Sequence, residues 1–137
     1  QRSFSLVEWA AHLRNFPVRW ISLQYGESAA EEVASALQQG LDLTHWPDTL
    51  KDQDDVAALT CALDSVVTVC STQAHLTGAL GRPGWVLTPF NPNWRYGAEG
   101  ETMPWYPSLR LLRQTVPGDW FRPLRALQSH LAALIHA

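Results

Sequence analysis

Ser71, Thr72 and His75 are the side chains of this sequence best placed for chemistry. They follow a β-branched run, Val66-Val67-Thr68-Val69, and open a stretch that continues Gln73-Ala74-His75-Leu76-Thr77-Gly78-Ala79-Leu80 and stops at Gly81. A buried strand breaking into small hydroxyl residues at the start of a helix is a ready anion site. The first backbone N–H groups of a helix lack intrahelical partners, and the helix dipole favours negative charge there. His75, one turn in, can pair with phosphate as His⁺ or donate one hydrogen bond as neutral imidazole. A phosphate or pyrophosphate is the ligand this pattern points to, with a sugar nucleotide as the leading candidate. The plain alternative is that Ser71 and Thr72 simply cap the helix.

Other chemistry-bearing residues point less sharply. Asp52, Asp54 and Asp55 read first as a solvated, dipole-favoured first turn of a helix, with a nucleotide role as the alternative. Trp94 and Trp105, in a polar loop with Arg95 and Tyr106, could form a carbohydrate-stacking surface, whereas Trp9, Trp20 and Trp120 read as packing. The two cysteines, Cys61 and Cys70, lie in segments that look buried, and no base is placed by sequence to activate either. His12, His45, His130 and His136 have no metal-ligand spacing, so no metal site is expected. Gly78-Ala79-Leu80-Gly81 lacks the Lys-Ser/Thr ending of a P-loop, and no G-x-G-x-x-G fingerprint occurs.

The elements that must position these residues follow from periodicity and caps. Residues 4–14 read as an amphipathic helix capped by Ser3 or Ser5, and residues 18–23 as a strand. Ser28 with Glu31 forms a capping-box pattern for a helix to about Gln39, stopped by Gly40. A short strand is expected at residues 41–43, then a helix from Asp52 to about Leu63, a strand at 66–69, a helix at 72–80 and a strand at 84–87. A Pro-, Asn- and Gly-rich loop covers 88–107, a last strand 109–113, and a closing helix 120–136. Strands alternating with helices imply one parallel sheet with right-handed crossovers. Such domains usually open on a strand, and this sequence opens on a helix, so a first strand is expected upstream.

Composition bounds the reading. The 137 residues are 46% hydrophobic and 17% charged, enough for a single folded domain with a real core. A net charge of -3 provides no basic field, which argues against nucleic acid as a nonspecific partner. No apolar stretch approaches the roughly 20 residues of a membrane helix, and two cysteines without a disulfide framework fit a reducing cytoplasm.

The run from Leu63 to Leu87, Leu-Asp-x-Val-x-x-Val-x-Ser-Thr-x-x-His-Leu-x-Gly-Ala-Leu-Gly-Arg-Pro-x-Trp-Val-Leu, resembles the C-terminal half of bacterial ADP-heptose:lipopolysaccharide heptosyltransferases, glycosyltransferase family 9. It is more similar still to a glycosyltransferase-like module found behind tetratricopeptide repeats. Pro92-Asn93-Trp94-Arg95-Tyr96, Pro104-Trp105-Tyr106-Pro107-Ser108 and Gly118-Asp119-Trp120 resemble the Trp-rich tail of that subgroup, and Arg2-Ser3 and Ser22-Leu23-Gln24-x-Gly26 also fit. The resemblance implies a Rossmann-like α/β fold, the donor-binding half of a GT-B enzyme that faces an acceptor domain or repeats. By position it assigns Ser71, Thr72 and the backbone of Gln73–Ala74 to the donor diphosphate, with His75 beside them. It places Gln24, Tyr25, Gly26, Asp52 and Asp55 near the nucleoside. Where this sequence has Cys70 the family usually has Asp, expected to contact the donor sugar. The implied partner is an ADP- or UDP-linked sugar, with no metal or other cofactor, and the family's catalytic base lies in the other domain. This half would therefore hold no catalytic residue. The rival expectation is a catalytically degenerate module serving protein–protein contact, and a weaker third is another nucleotide-sugar enzyme such as an epimerase.

Overall fold

The computed structural model describes residues 5–135. Ser3, Phe4 at the expected start of the first helix, His136 at the expected end of the last, and Arg2-Ser3 of the resemblance lie outside the described residues. The chain is mixed α/β, with every strand pairing parallel. It divides into two compact units, residues 57–129 and residues 5–56 with 130–135.

In the unit built on residues 5–56, α1 (Leu6–Leu13) is opened by a reciprocal cap. Ser5 is extended, and its Oγ accepts from the Glu8 N–H at 3.4 Å while the Glu8 carboxylate accepts from the Ser5 N–H at 2.8 Å. Strand β1 (Trp20–Ser22) leads through residues 23–28 to α2 (Ala29–Gln38) and then β2 (Leu43–His45). The two strands pair from Trp20↔Leu43 to Ser22↔His45. Helix α1 packs on α2, and Ala10, Leu13, Ala29, Val33 and Ala36 are buried.

Two expectations in this unit are corrected. Ser28 precedes α2 without capping it, because its backbone is already near-helical (φ -83°, ψ -9°) and its side chain makes no cap hydrogen bond. The short strand is Leu43–His45 rather than 41–43. The Leu41 N–H is held by the Ala36 carbonyl and the Gly40 N–H by that of Leu37, so residues 40–41 complete the end of α2 before the ladder starts.

A short 3₁₀ turn, Thr49–Lys51, precedes α3 (Gln53–Ala62). Asp52 caps this helix as expected, its Oδ1 accepting from the N–H groups of Asp54 and Asp55 at 2.8 and 3.2 Å. Cys61, read as buried, is exposed: α3 buries Val56 and Thr60, one turn apart, and residue 61 is turned outward.

The 57–129 unit carries β3 (Val66–Val69), α4 (Thr72–Ala79), β4 (Gly84–Thr88) and β5 (Leu109–Arg113), and most of α5 (Phe121–Ile135). The register runs from Val66↔Gly84 to Val69↔Leu87 and from Gly84↔Leu109 to Thr88↔Arg113. These boundaries match the expectation closely, including the stop of α4 at Gly81, whose φ of 68° suits glycine. Where a single sheet was expected, hydrogen bonding forms two: β1-β2, and β3-β4-β5. The core of this unit gathers Ala74, Val86, Tyr96, Met103, Leu109 and Leu111, with Cys70 and Tyr106 packed against it.

Candidate functional site

The start of α4 is reached through only Cys70 and Ser71 after β3 ends. Ser71 is extended (φ -155°, ψ 175°), the geometry of a cap, but its side chain makes no cap hydrogen bond. Its Oγ lies 3.1 Å from Thr68 Oγ1, so the hydroxyl is tied back to the strand. The Ser71 carbonyl accepts from the N–H groups of Ala74 and His75, at 3.1 and 3.4 Å. The N–H groups of Thr72 and Gln73, the first two of the helix, therefore lie beyond the internal bonding of α4. Thr72 is exposed and Ser71 and His75 are half-buried, so this turn is open to solvent.

Electrostatics set α4 apart among the described helices. The first turns of α1, α2 and α3 hold Glu8, Glu31 with Glu32, and Asp54 with Asp55. At α5, the Asp119 carboxylate accepts from the Phe121 N–H at 2.9 Å. Helix α4 has neither an acidic residue in its first turn nor a side-chain cap from Ser71. Its partial positive charge is answered neither by an acidic first-turn side chain nor by a Ser71 cap.

His75 stands one turn in, with two tyrosines of the 89–107 loop near its ring. Its ring centroid is 6.0 Å from that of Tyr96, and 5.7 Å from that of Tyr106 at an interplanar angle of 72°. His75 Nδ1 is 3.4 Å from the Tyr106 hydroxyl. Tyr96 is buried with the Cys70 thiol beside its hydroxyl. Burial, and secondarily that thiol, push its ionisation well above the usual phenol range. Cys70, at the position where the resemblance expects a sugar-contacting Asp, packs instead against the apolar cluster of the unit. The Gln73 side chain turns to the protein, donating to Thr60 Oγ1 and Thr77 Oγ1 at 3.2 Å each, so only its backbone faces the turn. Ala74 is buried in the core.

The residues expected near a nucleoside all belong to the other unit. Gln24 Nε2 donates to Glu32 at 3.2 Å, and its backbone N–H donates to Ser22 Oγ at 3.2 Å. Tyr25 is 79% exposed and Gly26 has a φ of 108°, which marks a turn built for glycine. Asp52 is engaged as the cap of α3, and Asp55 is exposed beside it. The structure thus gathers Cys70, Ser71, Thr72, Gln73, Ala74 and His75 around one turn, and gathers Gln24, Tyr25 and Gly26 in another.

Sequence reasoning offers the 88–107 loop as a carbohydrate-stacking surface, but misses the contact of its tyrosines with His75. Trp94 and Trp105 are exposed and meet edge to face, with centroids 5.9 Å apart and the Arg95 guanidinium 5.2 Å above Trp94. The inward side chains, Tyr96 and Tyr106, are the ones that reach His75. Arg113, the last residue of β5, holds the loop by donating to the carbonyls of Tyr96, Gly97 and Gly100, the last at 2.7 Å. A concavity of about 340 Å³ lies between Gly100–Glu101, β5 and the first turns of α5, and none of the α4 residues line it. Among the described residues, no three His, Cys, Asp or Glu side chains gather as metal ligands, and no helix is long and apolar enough to cross a membrane.

No family model matches the chain, and no solved structure matches it. The chain is 36% identical over 116 residues, 82% of its length, to Protein FlbA of Caulobacter vibrioides. It spans about a fifth of the length of that curated relative, 19%.

Proposed function

We propose that this chain is the donor-nucleotide-binding part of a GT-B glycosyltransferase of the heptosyltransferase-like kind, acting with an acceptor domain or repeats. The observation that carries the reading is the start of α4, where the first turn holds no acidic side chain, Ser71 makes no side-chain cap and Thr72 is exposed. A diphosphate seated there would accept from the Thr72 and Gln73 N–H groups, with the Thr72 hydroxyl and the His75 ring alongside. As the bond from the donor sugar to the diphosphate breaks, negative charge grows on the leaving oxygens. Fixed N–H dipoles at a helix start lower the energy of that charge without reorganising. The resemblance of Leu63–Leu87 and the Trp-rich motifs after it supports the same reading from the sequence side, and suggests ADP or UDP as the carrier.

The test is titration of the 137-residue chain with ADP, UDP, GDP and CMP, followed by amide NMR. Saturable shifts at Ser71–His75 with one nucleotide are expected. Replacing Thr72 and His75 together by Ala should weaken that binding about tenfold, the worth of one charge-assisted hydrogen bond. A folded chain whose 71–75 amides respond to none of the four nucleotides overturns the reading.

One observation favours a second reading, a degenerate module that binds protein rather than sugar nucleotide. The Cys70 side chain is used in apolar packing at the place where the resemblance expects a carboxylate for the sugar. A nucleoside-diphosphate sugar that binds more tightly than its bare nucleotide would exclude this reading.

A further inference from the structure

We propose that Gly78 and Tyr106 form a positioning device for His75. The missing Cβ of Gly78 seats the Tyr106 ring on α4, and the Tyr106 hydroxyl holds His75 by Nδ1, leaving Nε2 to meet an anion at the helix start. The ligand in this inference rests on the nucleotide reading above, whereas the positioning geometry does not.

Gly78 lies three residues past His75, on the same face of α4. Glycine inside a helix costs about 1 kcal/mol relative to alanine, so its presence at a buried position calls for a packing cause. That cause is close at hand. A Cβ at residue 78 would fall 2.2 Å from Tyr106 Cγ, 2.5 Å from Cδ2 and 2.6 Å from Cβ. These atoms form the base of the ring, not a flexible tip, so any side chain at 78 must move Tyr106 bodily. The ring seated there stands edge-on to His75, with its hydroxyl 3.4 Å from Nδ1. The buried Tyr96 ring also lies near His75, at 6.0 Å between centroids. His75 therefore meets two side chains of one loop, and that loop is tied down by Arg113.

The partner at Nδ1 bears on what the far edge of the ring can do. Either atom of the Nδ1–Tyr106 contact can be the donor; in the proposed device the Tyr106 hydroxyl donates, which places the ring proton on Nε2, a donor suited to phosphate oxygen. At 3.4 Å the contact is long for a hydrogen bond. Tyr106 thus acts through His75, and is a positioning residue.

The experiment compares the whole chain with Tyr106→Phe and Gly78→Ala, using long-range ¹H–¹⁵N spectra of the His75 ring and titration with ADP. Tyr106→Phe keeps the ring on α4 and removes only the hydroxyl. It should move the His75 Nδ1 resonance to that of a nitrogen without a hydrogen bond, and weaken ADP about threefold. Gly78→Ala should displace the whole ring, move the same resonance, and weaken ADP about tenfold. An Nδ1 resonance identical in the parent chain and Tyr106→Phe overturns the proposal, and one unchanged in Gly78→Ala removes Gly78 from it. If the Nδ1 resonance moves in both variants but the parent chain binds none of ADP, UDP, GDP and CMP, the nucleotide reading fails and the positioning device stands.

Discussion

The chain builds a strand-helix-strand motif twice, β1-α2-β2 and β3-α4-β4, and the two copies treat their helix starts in opposite ways. In the first, Leu23–Ser28 separate strand from helix, and Glu31 and Glu32 occupy the first turn. Glu32 also accepts from the Leu6 N–H at 3.4 Å and from Gln24 Nε2 at 3.2 Å, which binds the turn to its surroundings. In the second, Cys70 and Ser71 alone separate strand from helix, the first turn is free of acid, and the Ser71 hydroxyl is tied to Thr68. One copy spends its helix start on stability, and the other leaves it to solvent. Each turn follows the carboxyl end of a parallel strand, where α/β folds bind ligands, and charge in the first turn is one of the features that separate them.

That contrast can be broken or sharpened by substitution. The largest effect on stability is expected at the packing that holds His75: Gly78→Ala should destabilise the chain by about 2 kcal/mol, read as a lower denaturant midpoint, despite the better helix propensity of alanine. Thr72→Glu would make the α4 start resemble that of α2. It should weaken ADP binding more than tenfold in calorimetry while adding a few tenths of a kcal/mol to stability. The caps give a matched pair. Ser5→Ala removes a working capping box and should cost about 1 kcal/mol. Ser28→Ala removes a hydroxyl that caps nothing and should change the midpoint by less than about 0.5 kcal/mol.

Tyr96 gives the stability a dependence on pH in alkaline solution. Burial raises the ionisation of Tyr96 above its ordinary value, so in the folded chain it keeps its proton where the unfolded chain has released it. Above about pH 10 the unfolded state binds fewer protons, and stability must fall as pH rises. Denaturation midpoints of the parent chain and Tyr96→Phe across that range check the sign, since the phenylalanine variant should lose that part of the slope.

What could be read from the sequence was local. The β3 and α4 segments combine a β-branched run, a hydroxyl turn and a glycine stop within a few residues, and they fall where the pattern places them. Asp52 capped α3 for the same reason. The failures share a different cause. Ser28 with Glu31 fits a capping box as well as Ser5 with Glu8 does, and only the backbone angle at residue 28 separates them. Leu41 and Leu43 alternate like a strand, but the end of α2 claims the first of them. Pairing between strands is set at long range, so two sheets rather than one could not be read locally. The Tyr106 contact with His75 crosses 31 residues of sequence. The one signal for it was Gly78 in mid-helix, and a missing side chain does not name the neighbour it admits.

Arg113 carries a consequence for how this region opens and closes. It is the last residue of β5, paired in register with Thr88, and its guanidinium takes up carbonyls from Tyr96 to Gly100. The Leu111 N–H also donates to the Glu101 carbonyl at 2.7 Å, and Thr102 bridges Arg110. The loop is thereby stitched along the strand, and loosening either end of that seam loosens the other. In hydrogen exchange, the amides of residues 96–102 should be released together with those of β5, as one cooperative element, rather than early in the manner of an ordinary surface loop. The aromatic wall around His75 then lasts as long as the sheet does.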